Sequence, residues 1–222
     1  MPDTLHVLKV FTGPGGRGGN PLGVFLEAAD WPDARRQEIA ADLGFSETVF
    51  VTDAGRGELR IHTPAVELPL AGHPLVGTAW LLTSLGMPIS TLRPPAGEVP
   101  TWVDGERTWI SARPQWAPEF DMRHLESPEA VDRHPGAGPH EHLQVWAWDD
   151  KAAGRVRVRV FPTAMGITED EATGSAAIRL GALLQRSLTI RQGQASEIVV
   201  RPADDGTVAI GGRAELVSTR PY

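Results

Sequence analysis

The chain repeats its own pattern. Displaced by 97 residues, Glu47-Thr48-Val49-Phe50-Val51 lands on Gln144-Val145-Trp146-Ala147-Trp148, Arg60 on Arg157, and Gly77-Thr78-Ala79 on Gly174-Ser175-Ala176. Asp53 falls on Asp150 and Gly57 on Gly154, where each half turns a hairpin. These identities are sparse, so the weight rests on the shared order of hairpin, loop and apolar helix. A chain built this way is constrained to two related lobes that face each other across a cleft. At the same displacement His73 coincides with Asp170.

The elements follow from periodicity and punctuation. Leu5 to Thr12 alternates as a strand and ends in the Gly13-Pro14-Gly15-Gly16 turn; a second strand runs from Asn20-Pro21 to Leu26. Asp30 is expected to cap a helix that Gly44 stops, and the hairpin of Ser46–Val51 with Glu58–Thr63 follows. Leu75, Val76, Ala79, Leu82 and Leu85 then fall at helical spacing, with Trp80 and Leu81 making the helix apolar nearly all round, so it should be buried. Strands are expected around Trp102-Val103 and Trp109-Ile110, at Leu143–Trp148, Arg155–Phe161, Ser196–Arg201 and Thr207–Ile210, with a second buried helix at Ser175–Gln185. The stretch from 114 to 142, rich in Pro, Gly, His and acid, reads as a linker. Twenty-four Gly and 19 Pro suit many turns between short strands and argue against a long helical bundle.

Charge and composition exclude several classes. Twenty-one Lys plus Arg against 28 Asp plus Glu leave a net charge of −7, which repels phosphate backbones, so nucleic acid is not an expected partner. No apolar run approaches the roughly 18 residues of a membrane helix and no signal peptide is evident, so the expected location is the cytoplasm. The chain has no Cys, which removes disulfides, thiolate metal sites and thiol mechanisms. The run Gly13 to Gly19 lacks the Gly-Lys-Ser/Thr ending of a phosphate loop and reads as a hairpin tip. His134, His140 and His142 with Glu141 match no strong zinc spacing. Neither a metal nor a cofactor is expected.

The chemistry-bearing candidates lie where loops meet the two apolar helices. Leu70-Ala71-Gly72-His73-Pro74 and Glu169-Asp170-Glu171-Ala172-Thr173-Gly174-Ser175 would each present unpaired helix amides to a carboxylate or other anion. Gly72 and Gly174 allow close backbone approach, while His73 and Asp170 are placed to exchange protons with such a ligand. Asp170 or Thr173 reads equally well as a plain helix cap, and His73 as a turn residue. Glu47, between a helix end and an apolar strand, would have its pKa raised toward general-base range by partial burial, although strands routinely begin with such residues.

Several segments in order carry a resemblance. Phe11-Thr12 with Gly19-Asn20-Pro21-Leu22-Gly23-Val24, Phe45-Ser46-Glu47-Thr48-Val49-Phe50-Val51, Arg60-Ile61-His62-Thr63-Pro64, Glu67 through Ala79, and Gly166 with Glu169 through Ala176 together resemble the PhzF family of phenazine-biosynthesis-like isomerases. The resemblance implies an α+β, diaminopimelate-epimerase-like fold: two similar lobes, each a mostly antiparallel sheet around a central helix, spanning 1–113 and 114–222. It implies Glu47 as acid/base, assisted by His73 and Asp170, with Asn20, Gly72, Gly174 and Ser175 binding the substrate. The reaction implied is cofactor-free proton shuttling on a small carboxylate. A homodimer is the expected assembly. Related epimerases use two cysteines, and their absence here argues against that branch.

Two departures stand out. Glu171 occupies the place where the family usually has Pro, adding a negative charge beside Asp170. The 114–142 stretch looks too short for the strand and helix that open the first lobe, so the second lobe is expected to be trimmed. Five of the seven tryptophans (102, 109, 116, 146 and 148) lie in this joining region, as core or as a subunit contact. A protein of this fold that binds small carboxylates without turnover is the alternative.

Overall fold

A computed structural model describes residues 3–222. The first half runs β1 (Thr4–Thr12), β2 (Asn20–Phe25), α1 (Asp33–Leu43), β3 (Glu47–Asp53), β4 (Glu58–His62), β5 (Glu67–Leu68) and α2 (Gly72–Ser84). Three strands lead across: β6 (Thr91–Leu92), β7 (Val99–Asp104) and β8 (Arg107–Ala112). The second half runs β9 (Asp121–His124), α3 (Pro128–Asp132), β10 (His142–Asp150), β11 (Arg155–Pro162) and α4 (Gly174–Leu184), then β12 (Leu188–Gln192), β13 (Ser196–Pro202) and β14 (Val208–Pro221). Sheet neighbours are mostly antiparallel; α2 packs against β1, β2, β8 and β14, α4 against β13 and β14, and the two helices touch each other.

The hairpin repeat is real in register. β3 and β4 pair Thr48 with His62, and β10 and β11 pair Val145 with Arg159, each displaced by 97. Both ladders slip at the same place, between Val51 and Asp53 and between Trp148 and Asp150. Asp53 accepts from the Arg56 amide at 2.9 Å and Asp150 from the Ala153 amide at 3.0 Å, so the turns are built alike. Beyond the hairpins the displacement changes, because the second connecting loop is longer: α2 starts at Gly72 and α4 at Gly174. His73 therefore corresponds to Ser175 in helix position, and its coincidence with Asp170 in the sequence is not a structural equivalence.

The expected linker is not one. Residues 121–124 form β9, parallel to β10 with Leu143 opposite Asp121, and 128–132 form α3. Ser127 caps α3 by accepting the Ala130 amide, Pro128 sits in its first turn, and Val131 is buried against Leu143, Val145, Ala147 and Phe161. The result is the same strand–helix–strand crossover as β2–α1–β3, where Leu22 lies parallel to Glu47. The second lobe is thus shortened rather than lacking these elements. In α1 the sequence reading differs too: Pro32, not Asp30, holds the capping position, and no side chain caps it. β12 was not expected, and β14 runs eleven residues beyond Ile210.

One strand ties the lobes together. The first part of β14 pairs with β8 and β13, and the rest, from Arg213 to Pro221, pairs with β1. Gly211 and Gly212 make that passage possible, since a Cβ at either would lie 2.3 Å from the Trp109 or Phe11 ring. Trp109 and Trp146 are core residues, whereas Trp102 stacks on Trp109 at 6.0 Å and remains partly exposed.

Candidate active site

The starts of α2 and α4 meet head to head between the lobes. A Cβ on Gly72 would stand 2.7 Å from the Gly174 Cα, and one on Gly174 would stand 2.9 Å from the His73 amide nitrogen. Only glycine at both positions allows this approach. Neither helix has a side-chain cap, so the amides of Gly174, Ser175 and Ala176 remain without intrahelical partners, aimed at the junction.

Four expected side chains gather there, contributed by both halves. Asn20 opens β2, Glu47 opens β3, His73 is the second residue of α2, and Asp170 precedes α4; all are buried, with Glu47 at 8%, His73 at 2% and Asp170 at 5% exposure. Asn20 is the hub. Its Nδ2 donates to the Asp170 carboxylate at 2.7 Å and to the Ala172 carbonyl at 2.9 Å, and lies 3.4 Å from His73 Nδ1, while its Oδ1 accepts from Ser46 at 3.2 Å. His73 Nδ1 stands 3.6 Å from Glu47 Oε2. Neither Glu47 Oε2 nor His73 Nε2 has a hydrogen-bond partner among the described residues. A cavity of about 500 Å³ opens over Asn20, Pro21, Ser46 and Asp170.

Burial dominates the electrostatics. It pushes the Glu47 carboxyl up to about 8, with the Asp170 charge adding to the shift and the Ser46 hydroxyl opposing it. Burial also raises Asp170, against hydrogen bonds from Thr173 and Asn20 that favour its charged form. The same loss of water lowers His73 to about 3, so its imidazole is neutral. Glu171 does add to the rise of Asp170, but its carboxylate turns away to the β12–β13 turn. There it accepts from the Gln194 amide at 3.0 Å and the Ser196 hydroxyl at 2.8 Å. The departure at this position therefore builds a strut.

Asp170 is held by a residue that the sequence reading missed. Gln192 Nε2 donates to the Asp170 carbonyl and to Thr173 Oγ1, both at 2.8 Å, and its Oε1 accepts from the Thr173 amide at 3.1 Å. Thr173 Oγ1 in turn donates to Asp170 Oδ2 at 2.6 Å. The signal was available: Gln192 continues the inward alternation of Leu188 and Ile190, where a polar residue requires a buried partner.

The family profile described as "Phenazine biosynthesis-like protein", PhzC-PhzF, matches residues 8–135. A trans-2,3-dihydro-3-hydroxyanthranilate isomerase of Pseudomonas fluorescens is 34% identical over 226 aligned positions, covering 82% of this chain and 80% of the relative. The chain belongs to the PhzC-PhzF family. It is a PhzF-type isomerase, and the isomerase of the same name from Pseudomonas aeruginosa is equally similar, at 34% with the same coverage. The PhzF-family fold is shared with a protein of Bacillus anthracis, at 19% identity and a TM-score of 0.80 over 100% of this chain and 99% of the other. More distantly, a hydroxyproline epimerase of Agrobacterium vitis superposes with a TM-score of 0.62 at 12% identity, over 98% and 91% of the two chains. The PhzF fold thus extends to epimerases. Among the described residues no helix is long and apolar enough to cross a membrane.

Proposed function

We propose that this PhzF-type isomerase moves a proton on a small carboxylate-bearing metabolite using its own side chains alone, with Glu47 as the group that takes and returns the proton. The observation that carries the reading is the Glu47 carboxyl itself: buried, raised to about 8, and with Oε2 unpaired 3.6 Å from His73 Nδ1 at the start of α2. A carboxylate with so high a pKa is a far stronger base than an exposed one, and a fraction of it is ionised near neutral pH. It removes a proton from carbon beside an activating group: the C–H bond breaks, an O–H bond forms on Glu47, and the electron pair stays on the substrate. Glu47 then returns the proton to another carbon, or Asp170 delivers one to the opposite face of the same carbon while Glu47 keeps the one it took. The amides at the start of α4 stabilise the developing negative charge, and Gly174 and Ser175 hold the substrate carboxylate. Neutral His73 offers a hydrogen bond without carrying charge, and Asp170, fixed by Asn20 and Thr173, is the second proton carrier.

The test is isotope exchange. Full-length protein is incubated in D₂O with pooled small carboxylic acids, among them the trans-2,3-dihydro-3-hydroxyanthranilate that names the relatives' activity, and products are followed by mass spectrometry. Glu47→Gln is expected to slow exchange by about 10²- to 10⁴-fold. In the wild type, kcat/KM is expected to rise with pH up to about 8, as Glu47 becomes ionised in the free enzyme. Exchange that survives in Glu47→Gln overturns the assignment. Acid bound by both proteins with exchange in neither favours the turnover-free binder.

A further inference from the structure

Gln144 occupies in the second lobe the position that Glu47 holds in the first. The matched registers, Thr48 opposite His62 and Val145 opposite Arg159, put both residues one step earlier on equivalent strands. Each also lies beside the crossover strand of its lobe, Glu47 opposite Leu22 and Gln144 opposite Met122. Gln144 faces Val160 across the β10–β11 ladder, and Val160 bridges to Asp170 on its other side. Residues paired across a ladder project to the same face. Gln144 and Asp170 therefore share the inward face of the sheet, two strand spacings apart, or about 10 Å between Cα atoms.

The Gln144 side chain is fully buried, and neither its Nε2 nor its Oε1 has a partner among the described residues. An amide left in that state is destabilising, whereas an apolar side chain of the same shape would be neutral or better there. The other unpaired groups of this kind near the junction include Glu47 Oε2 and His73 Nε2, both in the candidate site. Gln144 resembles them in burial and in its inward placement, and no hydrogen bond within its lobe accounts for it.

We infer that Gln144 is a substrate-binding residue, whose amide recognises a hydroxyl or neutral amino substituent on the carboxylic acid; this rests on the proton-transfer reading above. The substituent class follows from the chemistry of the amide. Its Oε1 needs a donor and its Nε2 an acceptor, and hydroxyl and neutral amino groups supply both, whereas a carboxylate only accepts. Being uncharged, Gln144 can stay buried on the same sheet face as Asp170 without adding a further negative charge.

The experiment compares benzoate, 3-hydroxybenzoate and 3-aminobenzoate, which differ in one polar group, by calorimetric titration of full-length wild type and Gln144→Leu. The wild type is expected to bind the two substituted acids roughly ten-fold or more tightly than benzoate, because a site built for a hydrogen bond rejects the analogue that lacks it. Gln144→Leu is expected to level the three affinities while melting at the same or a higher temperature. Gln144→Met, with a more adaptable side chain, repeats the comparison if the leucine variant does not fold. A preference that persists in the variants, or a wild type that shows none, overturns the inference. Glu47-dependent exchange is read separately, so failure of the proton-transfer assignment and failure of the Gln144 assignment leave different patterns.

Discussion

On the outer face of the first lobe, α1 lays Ile39 and Ala40 over Leu5, Phe25, Trp31 and Phe50, an apolar layer with Phe25 and Phe50 stacked at 5.5 Å. On the outer face of the second, α3 is five residues long and supplies Val131 to a smaller cluster. Arginines do the rest. Arg157 reaches Asp132 at 2.7 Å, and Arg159 takes the carbonyls of Val131, Asp132 and His134 while gripping both oxygens of Glu169 at 2.8 Å. The same crossover is held in one lobe chiefly by apolar burial over a full helix, with one buried arginine, Arg36, donating to the Ala28 carbonyl at 2.9 Å. In the other it is held by guanidinium groups that bind the end of a short helix.

The difference predicts unequal costs. Trp31→Ala should remove the largest ring of the first layer and lower stability by about 3–5 kcal/mol, read from the urea midpoint, with little dependence on salt. Gly174→Ala attacks the junction common to both lobes, where the new Cβ meets backbone that cannot rotate away. A loss of about 1–3 kcal/mol is expected, together with loss of isotope exchange, and Gly72→Ala should behave alike if the two helix starts are equivalent. Arg159→Met should cost less, about 1–2 kcal/mol, since the site is partly open to water. Its contribution should weaken in high salt, and because Glu169 adjoins Asp170, exchange should fall more than stability does. Equal salt dependence in Trp31→Ala and Arg159→Met would erase the distinction between the lobes.

The same contrast explains what could be read in the chain. The hairpins at 47–62 and 142–162 were legible because alternation and turn residues recur over many positions, and α2 because its apolar residues run nearly all round. β9 and α3 were not legible: four and five residues carry no period, and Pro and Gly around them mimic a linker. Glu47, His73 and Asp170 stood out by residue type and by motif. Asn20 is legible as a candidate substrate contact; that it also joins Asp170 to the neighbourhood of His73 is set by contacts spanning 150 and 53 residues, which no local pattern carries. Gln192 escaped because its strand was itself unrecognised. For both glutamines, 144 and 192, the signal was a polar residue at an inward position of an alternating strand.

The titrating groups sharpen the comparison at its smallest scale, since the first lobe contributes two of opposite sign and the second only one. Glu47 keeps its proton in the folded chain up to about 8 but loses it near 4.5 when unfolded, so its contribution is complete below 4.5 and declines as pH rises toward 8. Asp170, raised from 3.8 to about 6, declines in the same direction over its lower window. His73 does the reverse: lowered from 6.5 to about 3, it contributes fully above 6.5 and loses that contribution as pH falls. Between 4.5 and 6 the slopes oppose one another, and above 6.5 Glu47 alone remains among the three. Glu47→Gln should therefore flatten the decline of the urea midpoint between pH 6.5 and 8, where one proton limits the slope to about 1.4 kcal/mol per pH unit. His73→Asn should remove the opposing slope, so that stability falls more steeply with rising pH between about 4.5 and 6, and should leave the region above 6.5 unchanged. An alkaline slope identical in wild type and Glu47→Gln would mean that Glu47 is already ionised when buried, and would remove the basis for its strength as a base.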